Sequence, residues 1–120
     1  MEKFGLDNIN ERIRLLLIFL DVSQREFAKS IGTDGGSISK ILSGKSNPTK
    51  AICKSIIFQY SVNPEWLYYG KGEMISEGLD KAKVTLISKI KNLDKNEIDI
   101  VDDFVEYILK TQKKLKDLEQ

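Results

Sequence analysis

The chain has 120 residues and a formal net charge of +1, so it accommodates one compact domain or a small domain with an appendage, and its charge identifies no partner. It contains no histidine and one cysteine, which excludes an intramolecular disulfide and a Cys/His zinc site, so we expect no metal and no cofactor. The polar amino terminus and the lack of a long apolar run predict neither a signal peptide nor a membrane span, and favour a cytoplasmic location.

The first predicted helix begins after Asn8, which has the spacing of a capping residue relative to Glu11. Apolar residues at helical spacing then form one stripe, made of Ile9, Ile13, Leu16, Leu17 and Leu20. We assign Arg12 and Arg14 to the exposed side of this helix.

A second, short helix is predicted to begin at Gln24, because Ser23 and Glu26 have the spacing of a capping box. Its apolar face, formed by Phe27, Ala28 and Ile31, ends at Gly32, a residue that tolerates the left-handed conformation at a helix terminus.

A third helix follows, with Thr33 or Asp34 as its cap, and it stops at Gly44. Its buried side is Ile38, Ile41 and Leu42. Two short helices joined through a glycine-centred turn form the helix-turn-helix arrangement.

This stretch resembles the DNA-binding domain of the lambda repressor and Cro family, also called the XRE family. The resemblance rests on residues in matching order and spacing, namely Gln24, Ala28, Gly32, Ile38 and Ile41. The loop LSGKSNP at residues 42–48 is similar to the G-K-x-x-P loop of that family.

Helices 4 and 5 complete the predicted domain. Asn47 can cap a helix that has Pro48 at its first position and runs to Tyr60, and Asn63 with Pro64 repeats the same start signal. Cys53 and Trp66 are assigned to the core of these helices. The phrase VNPEWL at residues 62–67, with GKGEM after it, is similar to phage-type members of the family, so a phage-repressor type is expected.

The domain boundary is predicted in the glycine-rich stretch GKGEMISEG at residues 70–78. We therefore divide the chain into a DNA-binding domain at residues 1–72, a linker at 73–79 and a helical dimerisation region at 80–120. The expected fold is all-α, with a five-helix lambda-repressor-like domain followed by a C-terminal helical hairpin.

The last predicted helix is capped by Asp94 with Glu97 and carries a heptad seam with one polar layer at Thr111. The apolar members of the seam, our candidate dimerisation residues, are Val101, Phe104, Ile108, Leu115 and Leu118. A hairpin of this size rarely buries such a seam alone, so a second copy of the chain is the expected partner. The alternative is that both tail helices fold back on the N-terminal domain of a monomer.

The resemblance places the third helix, near residues 34–43, in the major groove of double-stranded DNA. Ser37 and Lys40 are then the candidates for base edges, and Gln24, Lys45, Ser46 and Asn47 for the backbone. The complete set of candidate DNA-binding residues is Gln24, Gly35, Gly36, Ser37, Ser39, Lys40, Lys45, Ser46 and Asn47. Gly35 and Gly36 replace the long polar side chains of many relatives, either because the backbone approaches DNA closely or because the helix starts irregularly.

These assignments predict a transcriptional regulator, most simply a repressor that binds an inverted-repeat operator as a homodimer, with release by a protein antirepressor as one option. An antitoxin or adaptor-type regulator, whose C-terminal helices bind a different protein, is the alternative. We expect no enzymatic activity, since carboxylate pairs such as Asp99 with Asp102 belong to a solvated helix flank.

Overall fold

The computed structural model describes residues 8–119, and within that range it contains seven helices and no strand. The helices are α1 (Ile9–Leu20), α2 (Gln24–Ser30), α3 (Gly35–Leu42), α4 (Lys50–Tyr60), α5 (Pro64–Tyr69), α6 (Lys81–Ile90) and α7 (Lys95–Leu118). The predicted all-α class is confirmed. Across this range no helix is both long and apolar enough to span a bilayer. Residues 1–7, part of the polar segment behind the signal-peptide prediction, lie outside the described residues, as does Gln120.

Side-chain caps begin the helices largely where the sequence predicts them. Asn8, Ser23 and Asn63 each accept a hydrogen bond from a backbone amide in the first turn of α1, α2 and α5. The predicted start of helix 4 is wrong. Thr49, not Asn47, caps α4, because its hydroxyl accepts the amide hydrogen of Ile52 at 3.1 Å. Pro48 therefore precedes the cap instead of occupying the first helical position.

The first compact unit of the chain extends to Ser88, and its core is shared by α1 to α5 with Ile75 and Val84. Trp66 is buried, as predicted. An isolated antiparallel bridge joins Val62 to Ile75, and beside it the amide of Asn63 donates to the carbonyl of Met74 at 2.9 Å. This unit continues past the boundary drawn at residue 72, since part of the expected linker contributes to its core. The functional division of the chain remains a prediction.

Arg12 corrects the sequence analysis, because its side chain is buried rather than exposed. Its Nε donates to the carbonyl of Leu67 at 2.7 Å, and one terminal nitrogen donates to the carbonyl of Tyr68 at 3.0 Å. These carbonyls belong to the last turn of α5, where the helix has no further amides to offer them. Burial lowers the pKa of Arg12 from its usual value. The guanidinium thus ties α1 to the end of α5.

We expect Arg12→Met to lower the free energy of unfolding by about 1–3 kcal/mol, because two buried carbonyls lose a charged donor while the aliphatic volume is kept. Arg25→Met is the matched control, since Arg25 is exposed, and it should change stability by less than about 0.5 kcal/mol. Urea unfolding followed by fluorescence of the single tryptophan measures both. Equal effects of the two variants would contradict the bracing role of Arg12.

The second compact unit begins at Lys89 and consists mainly of α7. Asp94 and Glu97 form a complete capping box, with both bonds at 2.9 Å, as predicted. None of the 24 residues of α7 is buried. In the predicted seam, Phe104 is 65% exposed and Ile108 49% exposed. This helix therefore presents a large apolar surface in the single chain.

Candidate nucleic-acid interface

The turn between α2 and α3 is tight and held by backbone hydrogen bonds. Gly32 adopts a φ of +77°, which a residue with a side chain rarely accepts. Its amide donates to the carbonyl of Lys29 at 3.2 Å, and the amide of Thr33 donates to the carbonyl of Ala28 at 2.9 Å. Ala28 is buried, and α2 and α3 contact each other directly. The two helices therefore form one packed unit with a fixed crossing.

One face of α3 is anchored in the core and the other faces outward. Ile38, Ile41 and Leu42 are all buried, as the periodicity predicts. Gly36, Ser39 and Lys40 are exposed, and Ser37 is half-buried. Because α1 also contacts α3, this helix is held from behind. Its other face is open to solvent.

Asp34 caps α3 and also fixes the hydroxyl of Ser37. The amide of Ser37 donates to Oδ1 of Asp34 at 2.7 Å, and the hydroxyl of Ser37 donates to Oδ2 at 3.1 Å. These bonds, the backbone bond first, lower the pKa of the Asp34 carboxyl. The Ser37 oxygen consequently points its proton at the carboxylate and offers only lone pairs to an outside partner. Sequence analysis assigned Asp34 a capping role alone and did not predict this constraint on Ser37.

The two glycines that open α3 differ in their surroundings. Neither has a positive φ, so neither needs to be glycine for its backbone conformation. A Cβ added to Gly35 would meet nothing within 4 Å, whereas one added to Gly36 would lie 3.2 Å from Oδ1 of Asp34. The capping carboxylate therefore gives Gly36 a structural reason to lack a side chain, while Gly35 has none within the protein.

Gly35→Ala should raise the free energy of unfolding by about 0.5–1 kcal/mol, because alanine loses less backbone entropy in a helix and here meets no neighbour. Gly36→Ala should raise the free energy of unfolding by less, since the Asp34 carboxylate must shift to make room for the new methyl group. Thermal unfolding measures the stability of the two variants, which carry the same substitution at adjacent positions. A larger gain at Gly36 than at Gly35 would contradict the role of the cap contact.

The carboxyl end of α3 is held against the following loop and against α1. The amides of Lys45 and Ser46 both donate to the carbonyl of Lys40, at 2.9 and 3.2 Å. From α1, the buried side chain of Asn10 donates to the carbonyls of Ile41 at 2.8 Å and Ser46 at 2.9 Å. Arg14 donates to the carbonyl of Leu42. The loop after α3 is thus fixed in place without using the side chains of Lys45 and Ser46.

Asn10 and Arg14 are supporting residues that the sequence analysis missed. Asn10 lies three residues before Ile13 and seven before Leu17, so it stands within the apolar stripe of α1. A polar side chain at a position of the apolar stripe was the signal in the sequence that could have identified Asn10 as a buried hydrogen-bonding residue. Its two carbonyl partners, 31 and 36 residues away in sequence, could not be identified from the pattern.

The segment that contains α2, α3 and the start of α4 is rich in exposed positive charge. Between Ser23 and Lys54 the chain has six basic residues, all of them exposed, namely Arg25, Lys29, Lys40, Lys45, Lys50 and Lys54. Two acidic residues, Glu26 and Asp34, accompany them, which leaves a local balance of +4. Over residues 8–119, no ion pair involves any of the six. Such a surface attracts a polyanion.

The structure brings most of the predicted site residues to one side of the molecule. Gly35, Gly36, Ser37, Ser39 and Lys40 follow one another on α3, and the exposed residues Lys45, Ser46 and Asn47 continue from its end. Gln24 lines a surface cleft together with Arg14 and Leu42, so the start of α2 lies beside the end of α3. Among the described residues, no group of acidic or cysteine side chains is placed to hold a metal ion.

Comparison with protein families gives a match over the same part of the chain. A family model described as a helix-turn-helix domain matches residues 10–73, which is more than half of the chain and includes α2 through α5 and nearly all of α1. Comparison with curated proteins and with solved structures found no match.

Proposed function

Because this chain belongs to the helix-turn-helix domain family and is therefore a DNA-binding regulator, we propose that it is a repressor of the lambda repressor/Cro-like (XRE) type, similar to phage repressors. The observation that carries this proposal is the outward face of α3, which is exposed and bears Lys40 while its isoleucines are buried, in a segment whose six basic residues are exposed and form no ion pair within residues 8–119. A regulator of this kind needs no catalytic residues. Its site of action would be the cytoplasm.

Lys40 is the main candidate for direct base readout. Its ammonium is exposed on the face of α3 opposite Ile38 and Ile41, and lysine can donate to the O6 and N7 acceptors of guanine in the major groove. Ser37 complements it as an acceptor, because its proton is directed to Asp34. An acceptor of this kind suits the exocyclic amino group of adenine or cytosine. Ser39 adds an exposed hydroxyl.

The loop after α3 and the start of α2 are assigned to the DNA backbone. Lys45, Ser46 and Asn47 are exposed, and the main chain of Lys45 and Ser46 is fixed by bonds to Lys40 and Asn10. Gln24 stands beside the end of α3 and can donate to a phosphate oxygen. Contacts of this kind set the position of a protein on DNA and release counterions, so they should appear in the salt dependence of binding.

Gly35 is the position at which the two explanations of the glycine pair can be separated. No neighbour within the protein requires its small size, which leaves close approach of the backbone to DNA as one reason. If that reason holds, Gly35→Ala stabilises the protein and weakens DNA binding. If the helix merely starts irregularly, the same variant stabilises the protein and binds DNA normally.

We assign operator binding to a homodimer that occupies an inverted repeat, with the tail helices as the dimer contact. The exposed apolar surface of α7 supports this assignment. Two recognition helices would then read half-sites separated by about one helical turn, 34–36 Å, or a multiple of it. Occupying a promoter in this way represses transcription, and a protein antirepressor is one agent that could release it.

Selection from a random double-stranded DNA library tests the proposal. The bound fraction should converge on an inverted repeat. The logarithm of the binding constant for the selected site should fall linearly with the logarithm of the salt concentration. A selected sequence without repeat symmetry would contradict binding of a dimer to an inverted repeat. Failure to enrich any sequence would contradict sequence-specific binding.

A second candidate function, an antitoxin or adaptor-type regulator, is favoured by the same exposed surface of α7. In that case the tail would bind a different protein. Light scattering of the purified chain distinguishes the two, because a monomer at micromolar concentration would favour the adaptor and a dimer the repressor.

A further inference from the structure

The charges of α7 are segregated along its length. The half from Lys95 to Glu106 contains one lysine and five acidic residues, which are Glu97, Asp99, Asp102, Asp103 and Glu106. The half from Tyr107 to Leu118 contains one acidic residue and four lysines, which are Lys110, Lys113, Lys114 and Lys116. One half therefore carries a net charge of −4 and the other +3.

The apolar surface of α7 runs across both halves. Val101 and Phe104 lie in the acidic half, Ile108 close to the middle, and Leu115 and Leu118 in the lysine-rich half. All of them are at least partly exposed. Their alternating spacing of three and four residues, continued through Thr111, is the pattern by which one helix packs against another.

We propose that α7 pairs with α7 of a second copy of the chain in antiparallel orientation, an inference that rests on the dimerisation proposed above. In a parallel pair, acidic half would lie beside acidic half and lysine-rich half beside lysine-rich half. In an antiparallel pair, each acidic half lies beside a lysine-rich half. Within Val101–Leu118, Lys114 is the charged residue beside the seam, and the acidic residues lie on the outer faces of α7. The orientation is therefore favoured by the summed charge of each half, an attraction that acts over a longer distance and is strongest at low salt.

The apolar residues accommodate this orientation. If Phe104 lies opposite Leu115 of the second copy, the 3-and-4 spacing places Val101 opposite Leu118 and Ile108 opposite Thr111. Every large apolar member of the seam then meets an apolar partner except Ile108, which meets the methyl-bearing threonine. The polar layer is thus confined to the centre of the pair.

The orientation also determines the distance between the two Lys95 ends. An α-helix of 24 residues is about 36 Å long at a rise of 1.5 Å per residue. In the antiparallel register that pairs Phe104 with Leu115, the midpoint falls between Leu109 and Lys110, so the two Lys95 ends lie about 44 Å apart along the axis. In a parallel pair they are adjacent.

Sedimentation equilibrium of the full chain without DNA tests the charge argument on the unmodified protein. Salt screens exposed charges, with a Debye length of about 10 Å at 0.1 M and about 3 Å at 1 M. The antiparallel pair should dissociate more readily as salt rises, because its charges attract. A dimer that tightens with salt would overturn the proposal, since that is the behaviour of a parallel pair with like charges side by side.

Charge reversal at one end gives a second test. Asp102→Lys with Asp103→Lys should weaken dimerisation at low salt about tenfold, because the acidic half then has a net charge of 0 instead of −4 and no longer attracts the lysine-rich half. Lys50→Glu with Lys54→Glu on α4 is the matched control and should leave dimerisation unchanged. Unchanged dimerisation in the first variant would overturn the proposal.

Distances between spin labels test the orientation without altering the lysines. A label at Asp99→Cys should lie about 30 Å from its copy in an antiparallel pair, but less than about 20 Å in a parallel one. A label at Leu109→Cys, near the middle, should be close to its copy in either case, and buried Cys53 should remain unlabelled. Short distances for both labels would overturn the orientation while leaving dimerisation intact. A monomer at every concentration would overturn both, and DNA selection with the same chain would still report on the helix-turn-helix domain.

Discussion

Replacing Lys40 with alanine should weaken binding to the selected DNA site by about tenfold to a hundredfold, the effect of losing a hydrogen-bonded base contact of about 1–3 kcal/mol. Binding to unrelated DNA should weaken much less, because that binding depends on phosphates. The reason is the position of Lys40, exposed on α3 while Ile38 and Ile41 hold the helix to the core. Fluorescence anisotropy with selected and scrambled duplexes measures the difference.

Lys45→Ala is the comparison variant that separates base recognition from contact with the DNA backbone. Lys45 is also an exposed lysine, five residues further along, but it lies in the loop assigned to the DNA backbone. Its loss should weaken selected and scrambled duplexes alike and reduce the slope of log affinity against log salt by about 0.9. Lys83→Ala, on the exposed side of α6, controls for the loss of one positive charge. If Lys40→Ala and Lys45→Ala act equally on every duplex, Lys40 does not read bases.

The helices could be predicted from the sequence because their signals are local. Capping residues such as Ser23 and Asp94 act on amides three residues away, and both begin helices as predicted. The error at helix 4 has the same origin. Asn47 and Thr49 are both good caps separated by Pro48, and only the observed bond to Ile52 decides between them.

Contacts between distant helices could not be predicted from local signals. Arg12 stands four residues before Leu16 and eight before Leu20, on the apolar side of α1, so its burial was compatible with the periodicity. The sequence analysis assigned Arg12 to the exposed side of α1 because its side chain is charged. Its partners are carbonyls at the end of α5, 55 and 56 residues away, and no pattern in α1 indicates where those carbonyls lie.

The candidate site was predictable in its location and less so in its details. The order of Ile38, Lys40 and Ile41 determines which face of α3 is exposed, so the outward lysine follows from periodicity. The hydrogen-bonding state of Ser37 does not. Its hydroxyl could rotate toward solvent or toward Asp34, and the observed bond to Asp34 decides that it acts as an acceptor in the contact that we propose with a base.

Phe27→Ala should produce the largest loss of stability, about 3–5 kcal/mol, which is a large part of the 5–15 kcal/mol that stabilises a typical domain. Phe27 is fully buried in α2, and its ring stacks on Tyr60 of α4 with centroids 5.5 Å apart and an interplanar angle of 10°. Removing the ring leaves a cavity beneath the helix-turn-helix and deprives Tyr60 of its aromatic neighbour. The hydroxyl of Tyr60 is also hydrogen-bonded to Ser30, so α2 and α4 share this contact.

Phe58→Ala is the matched control, because it removes the same side chain from a position of α4 that is 69% exposed. We expect it to cost less than about 1 kcal/mol. Urea unfolding monitored by the buried Trp66 reports on this unit of the chain and separates its stability from that of α7. DNA binding by Phe27→Ala should fall at temperatures where the domain unfolds and recover on cooling, which distinguishes lost folding from a lost contact. Equal midpoints for the two variants would mean that the Phe27 ring does not hold α2 in place, and the support for α3 would then have to come from α1 alone.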